Sequence, residues 1–184
     1  MSRIRFATAH ALFESFPELT RKISTGPSDQ FPIDYLKALS LQGKMEDAVT
    51  FCAYLLPRRE AVWWACGCAR DLLGTIPQAR AAGLLAAEAW VYEPDDERRK
   101  AALDIGTNGD SKDPITWLAL AAGWAGGFLF ANAQRQVAMP HYMTARAVRI
   151  AMFMSIMNIR RDQRPVRLKP CIAEGVKLAE SGLS

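Results

Sequence analysis

The sequence has few of the residues from which catalytic and metal sites are built. It contains only two histidines, and neither lies near a serine or cysteine nucleophile motif, an acidic pair or a HExxH pattern. It has no GxGxxG motif and no P-loop, because the turn at residues 106–112 lacks the Walker spacing. No nucleophile comes with a base, so we expect a protein that is not an enzyme and that binds neither a cofactor nor a metal.

The four cysteines are not spaced as metal ligands or as a disulfide framework. Cys66 and Cys68 lie two residues apart, so on a helix their thiols point about 200° away from each other. Zinc sites and thioredoxin-like pairs use two intervening residues instead. Cys52 and Cys171 also lie among apolar residues in helical patterns. We expect four buried free thiols and, from them, a reducing, cytoplasmic location.

A secretion signal and a membrane span are not expected either. The N-terminal residues show no long apolar run followed by a small-residue cleavage site. Residues 114–134 carry no charge, and this run is long enough to raise the question of a transmembrane helix. However, Gly123, Gly126 and Gly127 interrupt the run. We therefore predict a buried helix followed by a turn.

Helical patterning is present along the whole chain. Half of the 184 residues are hydrophobic and 23% are charged, which is a globular composition able to bury a core. Apolar residues recur with helical spacing, and no segment shows the alternating polarity of a strand. We predict an all-α, single-domain helical bundle or a short solenoid-like stack of helical hairpins. Residues 1–29 form an N-terminal helix and linker, residues 30–184 an all-helical domain, and together they make one compact unit.

The stretch LPRREAVWWACGCARDLL predicts a central, buried helix at about residues 58–73. Pro57 suits the first turn of a helix, since the N–H that it lacks would have no partner there. Residues 61–69 are apolar or small on all sides, which is typical of a helix surrounded by others. Trp63 and Trp64 diverge by about 100°. We expect one of them in the core and the other in a groove, against a neighbouring helix or as an anchor for a partner.

Proline, glycine and acidic residues mark the ends of the other helices. Asp95 and the Asp113–Pro114 pair are expected at helix N-termini, where a carboxylate accepts hydrogen bonds from unpaired N–H groups. Pro77 is expected to begin one helix and Gly106 to end another.

The C-terminal part is predicted to contain a loop and two helices. Residues 128–140 are interpreted as a loop that Pro140 closes, and the next helix as residues 142–158. The last helix is expected to begin near Leu168, with Pro170 in its first turn.

Three segments together resemble an uncharacterised family of small, all-helical proteobacterial proteins. They are PIDYLKALSLQGKMEDAVTFCAYLLPRREAVWWACGCARDLL, LLAAEAWVYEPDDERRKAAL and PHYMTARAV, and the resemblance covers about residues 30–180. Its most specific part is LPRREAVWWACGCAR, followed by AEAWV and by the acidic cap before RRKAA. The family is a domain of unknown function, and some members are encoded near type VI secretion components. The resemblance thus implies an all-helical fold and an accessory or adaptor role. Where the family has a proline-rich loop, this chain has FLFANAQRQVAMP, which implies a different partner if that loop binds one.

Glu88 is an acidic residue in markedly apolar surroundings. It lies in LLAAEAWV, where an isolated carboxylate would be strongly destabilising, so it should be exposed, protonated or paired. The candidates for a structural ion pair are Arg58, Arg59 and Arg70, and a functional carboxylate is the remaining alternative. Arg58 and Arg59 open a helix, where the macrodipole disfavours a cation by about 0.3–1 kcal/mol. Some other contact must therefore hold them there.

Two segments are candidates for binding a protein partner. Phe128, Leu129 and Phe130 would be exposed apolar residues if the 128–140 loop leaves them unpaired. Residues 135–184 contribute +6 to a net charge of +4, and their cations include a basic run formed by Arg160, Arg161, Arg164, Arg167 and Lys169. This run is a solvated turn, or it attracts an acidic partner. We predict a non-enzymatic protein-binding adaptor or chaperone-like accessory protein. The alternative is a nucleic-acid-binding helical module that uses the basic run, although no interleaved aromatic residues offer a platform for bases.

Overall fold

The computed structural model describes residues 4–131 and 136–181. Over these residues the chain forms nine α-helices, two short 3-10 turns at Pro17–Arg21 and Gln78–Arg80, and one pair of short strands. The elements are α1 (Ala9–Ser15), α2 (Pro32–Leu41), α3 (Met45–Leu55), α4 (Arg58–Leu73), α5 (Ala82–Tyr92), α6 (Asp96–Asn108), α7 (Pro114–Gly123), β1 (Phe128–Ala131), β2 (Gln136–Ala138), α8 (Tyr142–Ile156) and α9 (Arg164–Ser181). The prediction of an all-α, single-domain bundle is confirmed.

Helix α4 lies at the centre of the bundle. It contacts α3, α5, α7, α8 and α9. Helices α2, α3 and α9 pack together on one side, while α5, α6 and α7 pack together on the other. Helices α4 and α8 contact members of both groups, and one continuous apolar core runs from Ala9 in α1 to Ala179 in α9. The stretch with the most uniformly apolar sequence is therefore the one around which the fold is organised.

Helix α4 is buried on most of its circumference but not all round. Its buried side chains include Val62, Trp64 and Cys68, whereas Gly67 and Arg70 are exposed and Trp63 is half-buried. These last three residues are spaced as i, i+4 and i+7, which places them in one stripe along the helix. Neighbouring helices therefore do not surround this segment on every side, contrary to the prediction from the sequence. The small residues that suggested complete burial do not distinguish a core from a solvent-facing stripe, since glycine is tolerated in both.

Trp64 is the anchor that joins α4 to α9. Its side chain is 1% exposed, and its indole N–H donates to the carbonyl oxygen of Cys171 at 2.7 Å. At Gly175, one turn further along α9, a Cβ atom would lie only 2.4 Å from the Cys52 sulfur and 3.1 Å from the indole nitrogen of Trp64. Glycine is required there because α9 approaches α3 and α4 too closely for a side chain.

Several predicted helix ends are confirmed. Asp95 caps α6, since its carboxylate accepts from the backbone N–H of Arg98 at 2.7 Å. Asp113 caps α7 and accepts from the backbone N–H of Ile115 at 2.9 Å, with Pro114 as the first helical residue. These caps satisfy N–H groups that have no partner within the helix.

Three predicted helix boundaries are wrong. Pro77 precedes a 3-10 turn, and α5 begins only at Ala82. Gly106 does not end α6 but lies inside it. A Cβ at this position would lie 2.7 Å from the Leu120 side chain of α7, so glycine allows the two helices to approach closely. Pro170 is not in the first turn of the last helix either, since α9 begins at Arg164. A proline inside a helix costs about 3 kcal/mol, which the packing of the buried α9 face offsets.

The expected loop at residues 128–140 contains two antiparallel strands, β1 and β2. The pairing is irregular between Phe128 and Phe130, which breaks the two-residue alternation by which a strand is recognised in a sequence. The described part of the uncharged run, residues 114–131, thus contains α7 and β1. Among the described residues, no helix has the length and apolar character needed to span a membrane.

Candidate partner-binding surface

The exposed stripe of α4 lies beside the exposed face of α5. On α4 the stripe consists of Arg59, Trp63, Gly67 and Arg70, which follow each other at intervals of about one turn. On α5 the matching positions are Leu85, Glu88 and Tyr92. The two helices pack against each other, so these residues form one continuous area, which we call the α4–α5 surface.

An aromatic pair is the most prominent feature of the α4–α5 surface. The rings of Trp63 and Tyr92 meet edge to face, with 5.6 Å between their centroids and an interplanar angle of 74°. Tyr92 is 72% exposed, and Leu85 is also exposed on the same helix. The pair holds two aromatic rings in a fixed arrangement at the surface.

Arg70 and Glu88 form a two-pronged ion pair next to these rings. The Arg70 Nε and Nη2 groups donate to the two Glu88 oxygens at 2.7 and 2.6 Å. Glu88 is 15% exposed and Arg70 49% exposed, so the pair borders solvent. The hydrogen bond to Glu88 raises the pKa of Arg70. Of the three arginines that the sequence offers as partners of Glu88, the structure places Arg70 beside it.

Arg58 and Arg59 reach the carboxyl-terminal ends of neighbouring helices instead. Arg58 donates to the carbonyl oxygen of Ala125, just after α7, at 2.7 Å and to that of Met139 at 3.2 Å. Arg59 donates from Nε to the carbonyl oxygen of Val91, in the last turn of α5, at 2.6 Å. Carbonyl groups at helix C-termini lack partners within the helix and carry partial negative charge. This contact explains why two cations are tolerated at the start of α4.

Two arginines of the C-terminal basic run also donate hydrogen bonds to backbone carbonyl groups at helix ends. Arg164 donates to the carbonyl oxygens of Ile159 and Met157, beyond the end of α8, at 3.0 and 3.3 Å. Arg167 donates to the carbonyl oxygen of Asp71, in the last turn of α4, at 2.6 Å. Both side chains therefore serve as C-terminal caps.

The other cations of the basic run face solvent. Arg160 pairs with Asp162 at 3.1 Å, and both side chains are largely exposed. Arg161 and Lys169 are exposed as well. The run therefore presents fewer available charges than its sequence suggests.

The apolar residues proposed for the 128–140 segment are described only in part. Phe128 is 51% exposed at the start of β1. The side chains of Leu129 and Phe130 lie outside the described part of the structure.

The cysteines have the properties of core residues. All four are free and buried. Burial raises the pKa of Cys52 and of Cys66, which keeps both thiols protonated and unreactive. Cys68 lies near Cys171, whereas Cys66 lies near Glu88. Within residues 4–131 and 136–181, no cluster of three or more His, Cys, Asp and Glu side chains is arranged to hold a metal ion.

The sequence did not point to the α4–α5 surface, although it contains part of the pattern that marks it. The spacing of Arg59, Trp63, Gly67 and Arg70 marks one stripe of a helix, and three of these residues are polar or small. The sequence does not mark Tyr92 as exposed, because an aromatic residue next to Val91 at the end of an apolar helix is typical of a core.

Residues 35–179 match the family of unknown function DUF6931, and this range includes α3 to α8 and the whole α4–α5 surface. No curated protein and no solved structure matches the chain. Since the match covers well over half of its length, the chain belongs to the DUF6931 family of unknown function.

Proposed function

We propose that this protein is a non-enzymatic adaptor that binds a protein partner through the α4–α5 surface. The observation that carries the proposal is the exposed, edge-to-face pair of Trp63 and Tyr92. Tryptophan, tyrosine and arginine are the residues that contribute most to protein–protein binding energy. Here all three types lie in one area, together with the exposed Leu85.

The position of the surface also supports this proposal. Trp63 is held on α4, whose opposite side is buried in the core, and Tyr92 is held against it by ring contact. Arg70 and Glu88 fix each other through two hydrogen bonds. A partner would therefore bind side chains whose conformations are already restricted, which lowers the entropic cost of association.

The resemblance described above extends the proposal to a cellular context. We place the protein in the cytoplasm of a proteobacterium, as a chaperone-like accessory factor or adaptor linked to type VI secretion. The partner would then be a component or a cargo protein of that system.

Affinity capture from the native organism, followed by mass spectrometry, tests the proposal. The double variant Trp63→Ala/Tyr92→Ala removes both rings, and we expect it to lose a protein that the unchanged chain retains. The matched control is Arg161→Gln/Lys169→Gln, which changes two exposed residues of the basic run and should retain that protein. Loss of the protein in the control but not in the aromatic variant would assign binding to the basic run instead.

A nucleic-acid-binding module is the second candidate, and the exposed cations Arg161 and Lys169 support it. Phosphate contacts make affinity fall steeply with salt, whatever the base sequence. Fluorescence anisotropy with a labelled DNA duplex, measured from low to moderate salt, separates the two candidates. Binding that decreases steeply with salt and is lost in Arg161→Gln/Lys169→Gln would favour this second function.

A further inference from the structure

A cavity of about 430 Å³ lies at the N-terminus of α4, beside the α4–α5 surface. It is lined by Arg5, Pro57, Arg58, Arg59, Glu60 and His141. Three of these residues are arginines and one is a histidine, so cationic and ionisable nitrogen groups dominate the lining. Glu60 supplies the one carboxylate of the lining, and its side chain is almost fully buried.

The start of α4 adds to the positive character of this cavity. Helix α4 has 16 residues, and Pro57, which precedes the first turn, has no side-chain group that could cap the N-terminus. The N–H groups of a first helical turn lack partners within the helix, and they carry about half a positive charge together. The cavity is lined by the residues of that turn, so the helix dipole points its positive end at the cavity.

The cationic side chains around the cavity act on one another. The positive charge of Arg58 lowers the pKa of His141, and burial and the charge of Arg5 lower this pKa further. Burial and then the charge of Arg5 lower the pKa of Arg58. Arg58 also has a buried Nε group for which the described residues provide no hydrogen-bond partner. Arg5, Arg58 and His141 therefore lie close enough for their charges to act on one another.

We infer that this cavity is a binding site for a single oxyanion, which Arg5, the backbone N–H groups of the first turn of α4 and the imidazole of His141 would hold. A carboxylate or a phosphate group has the charge and the acceptor oxygens that such a site requires. Arg5 is exposed at the mouth of the cavity and can move to a ligand, whereas Arg58 and Arg59 are held by carbonyl groups and supply fixed charge. The inference stands apart from the proposed adaptor function, although Arg59 lines both areas.

Nuclear magnetic resonance of the full chain tests this site without any knowledge of a partner. Sodium phosphate, sodium acetate and sodium chloride are titrated at constant ionic strength, and the backbone amides of residues 58–60 are followed with the imidazole of His141. We expect saturable shifts of these amides with phosphate or acetate and a rise in the pKa of His141, since a bound anion offsets the neighbouring arginine charges. Shifts with acetate assign a carboxylate as the ligand, and shifts with phosphate alone assign a phosphate group.

Two variants and one internal reference complete the experiment. Arg5→Gln removes the exposed cation without touching a core contact, and we expect it to weaken anion binding roughly tenfold. Arg161→Gln removes an exposed cation elsewhere and should leave binding unchanged. His10, which lies near Glu14 and Asp29, provides the reference imidazole signal. Shifts that remain linear, match those with chloride and are the same in Arg5→Gln would overturn the inference.

Discussion

Helix α4 carries one tryptophan on its buried side and another on its exposed side. Trp64 is enclosed by the core and donates to α9, whereas the adjacent Trp63 borders solvent and meets Tyr92. The buried side continues with Cys68 and faces Gly175 of α9, while the exposed side continues with Gly67 and Arg70. The comparison shows that one helix can organise the core with one side and present aromatic and charged side chains to solvent with the other.

The largest effect is expected from truncation on the buried side. Trp64→Ala leaves a cavity and removes the donor to the Cys171 carbonyl, so we expect a loss of about 3–5 kcal/mol in the free energy of unfolding. Urea denaturation measures this loss. Trp63→Ala is the matched control, and it should cost much less because its ring is half-buried. Equal losses for the two variants would contradict the distinction between the two sides.

A methyl group at Gly175 is expected to have the next largest effect. The added Cβ would overlap the Cys52 sulfur and crowd the Trp64 indole, so Gly175→Ala should lower the free energy of unfolding by about 1–3 kcal/mol. Thermal or urea denaturation reports this change. An unchanged midpoint would show that α9 can move away from α4 without cost.

A glycine-to-alanine substitution on the exposed side of α4 should stabilise the protein instead of destabilising it. A Cβ at Gly67 would meet nothing within 4 Å, and alanine favours a helix over glycine by about 0.5–1 kcal/mol. Gly67→Ala is therefore expected to raise the denaturation midpoint. A lowered midpoint would indicate that this stripe is covered in solution, by a second copy of the chain or by another segment.

The smallest effect is expected from the ion pair on the exposed side. Because Arg70 is half-exposed and solvent screens the pair, its interaction with Glu88 should contribute only about 0.5 kcal/mol. A double-mutant cycle with Arg70→Ala and Glu88→Ala measures this coupling. A coupling energy of several kcal/mol would mean that the pair belongs to the core rather than to the surface.

Local sequence signals predicted much of this fold. Pro57 marked the start of α4, and the carboxylates of Asp95 and Asp113 marked two further helix starts, since each acts on backbone groups within a few residues. The central helix was found because its apolar residues cover most of its circumference.

The features that the sequence did not reveal depend on contacts between distant segments. Gly106 lies inside α6, where the absence of a side chain allows Leu120 of α7 to pack against the helix backbone. Arg70 rather than Arg58 or Arg59 pairs with Glu88, because the other two reach the carboxyl ends of neighbouring helices. The α4–α5 surface likewise exists only because two helices place their exposed stripes side by side.

Site-specific crosslinking tests the role of the exposed side of α4 most directly. A photoreactive phenylalanine analogue replaces Tyr92 in the native organism, and the same analogue replaces Leu41, an exposed residue of α2, as the control. We expect a crosslinked protein from position 92 that is absent from position 41. No protein adduct at position 92, or the same adducts from both positions, would contradict it.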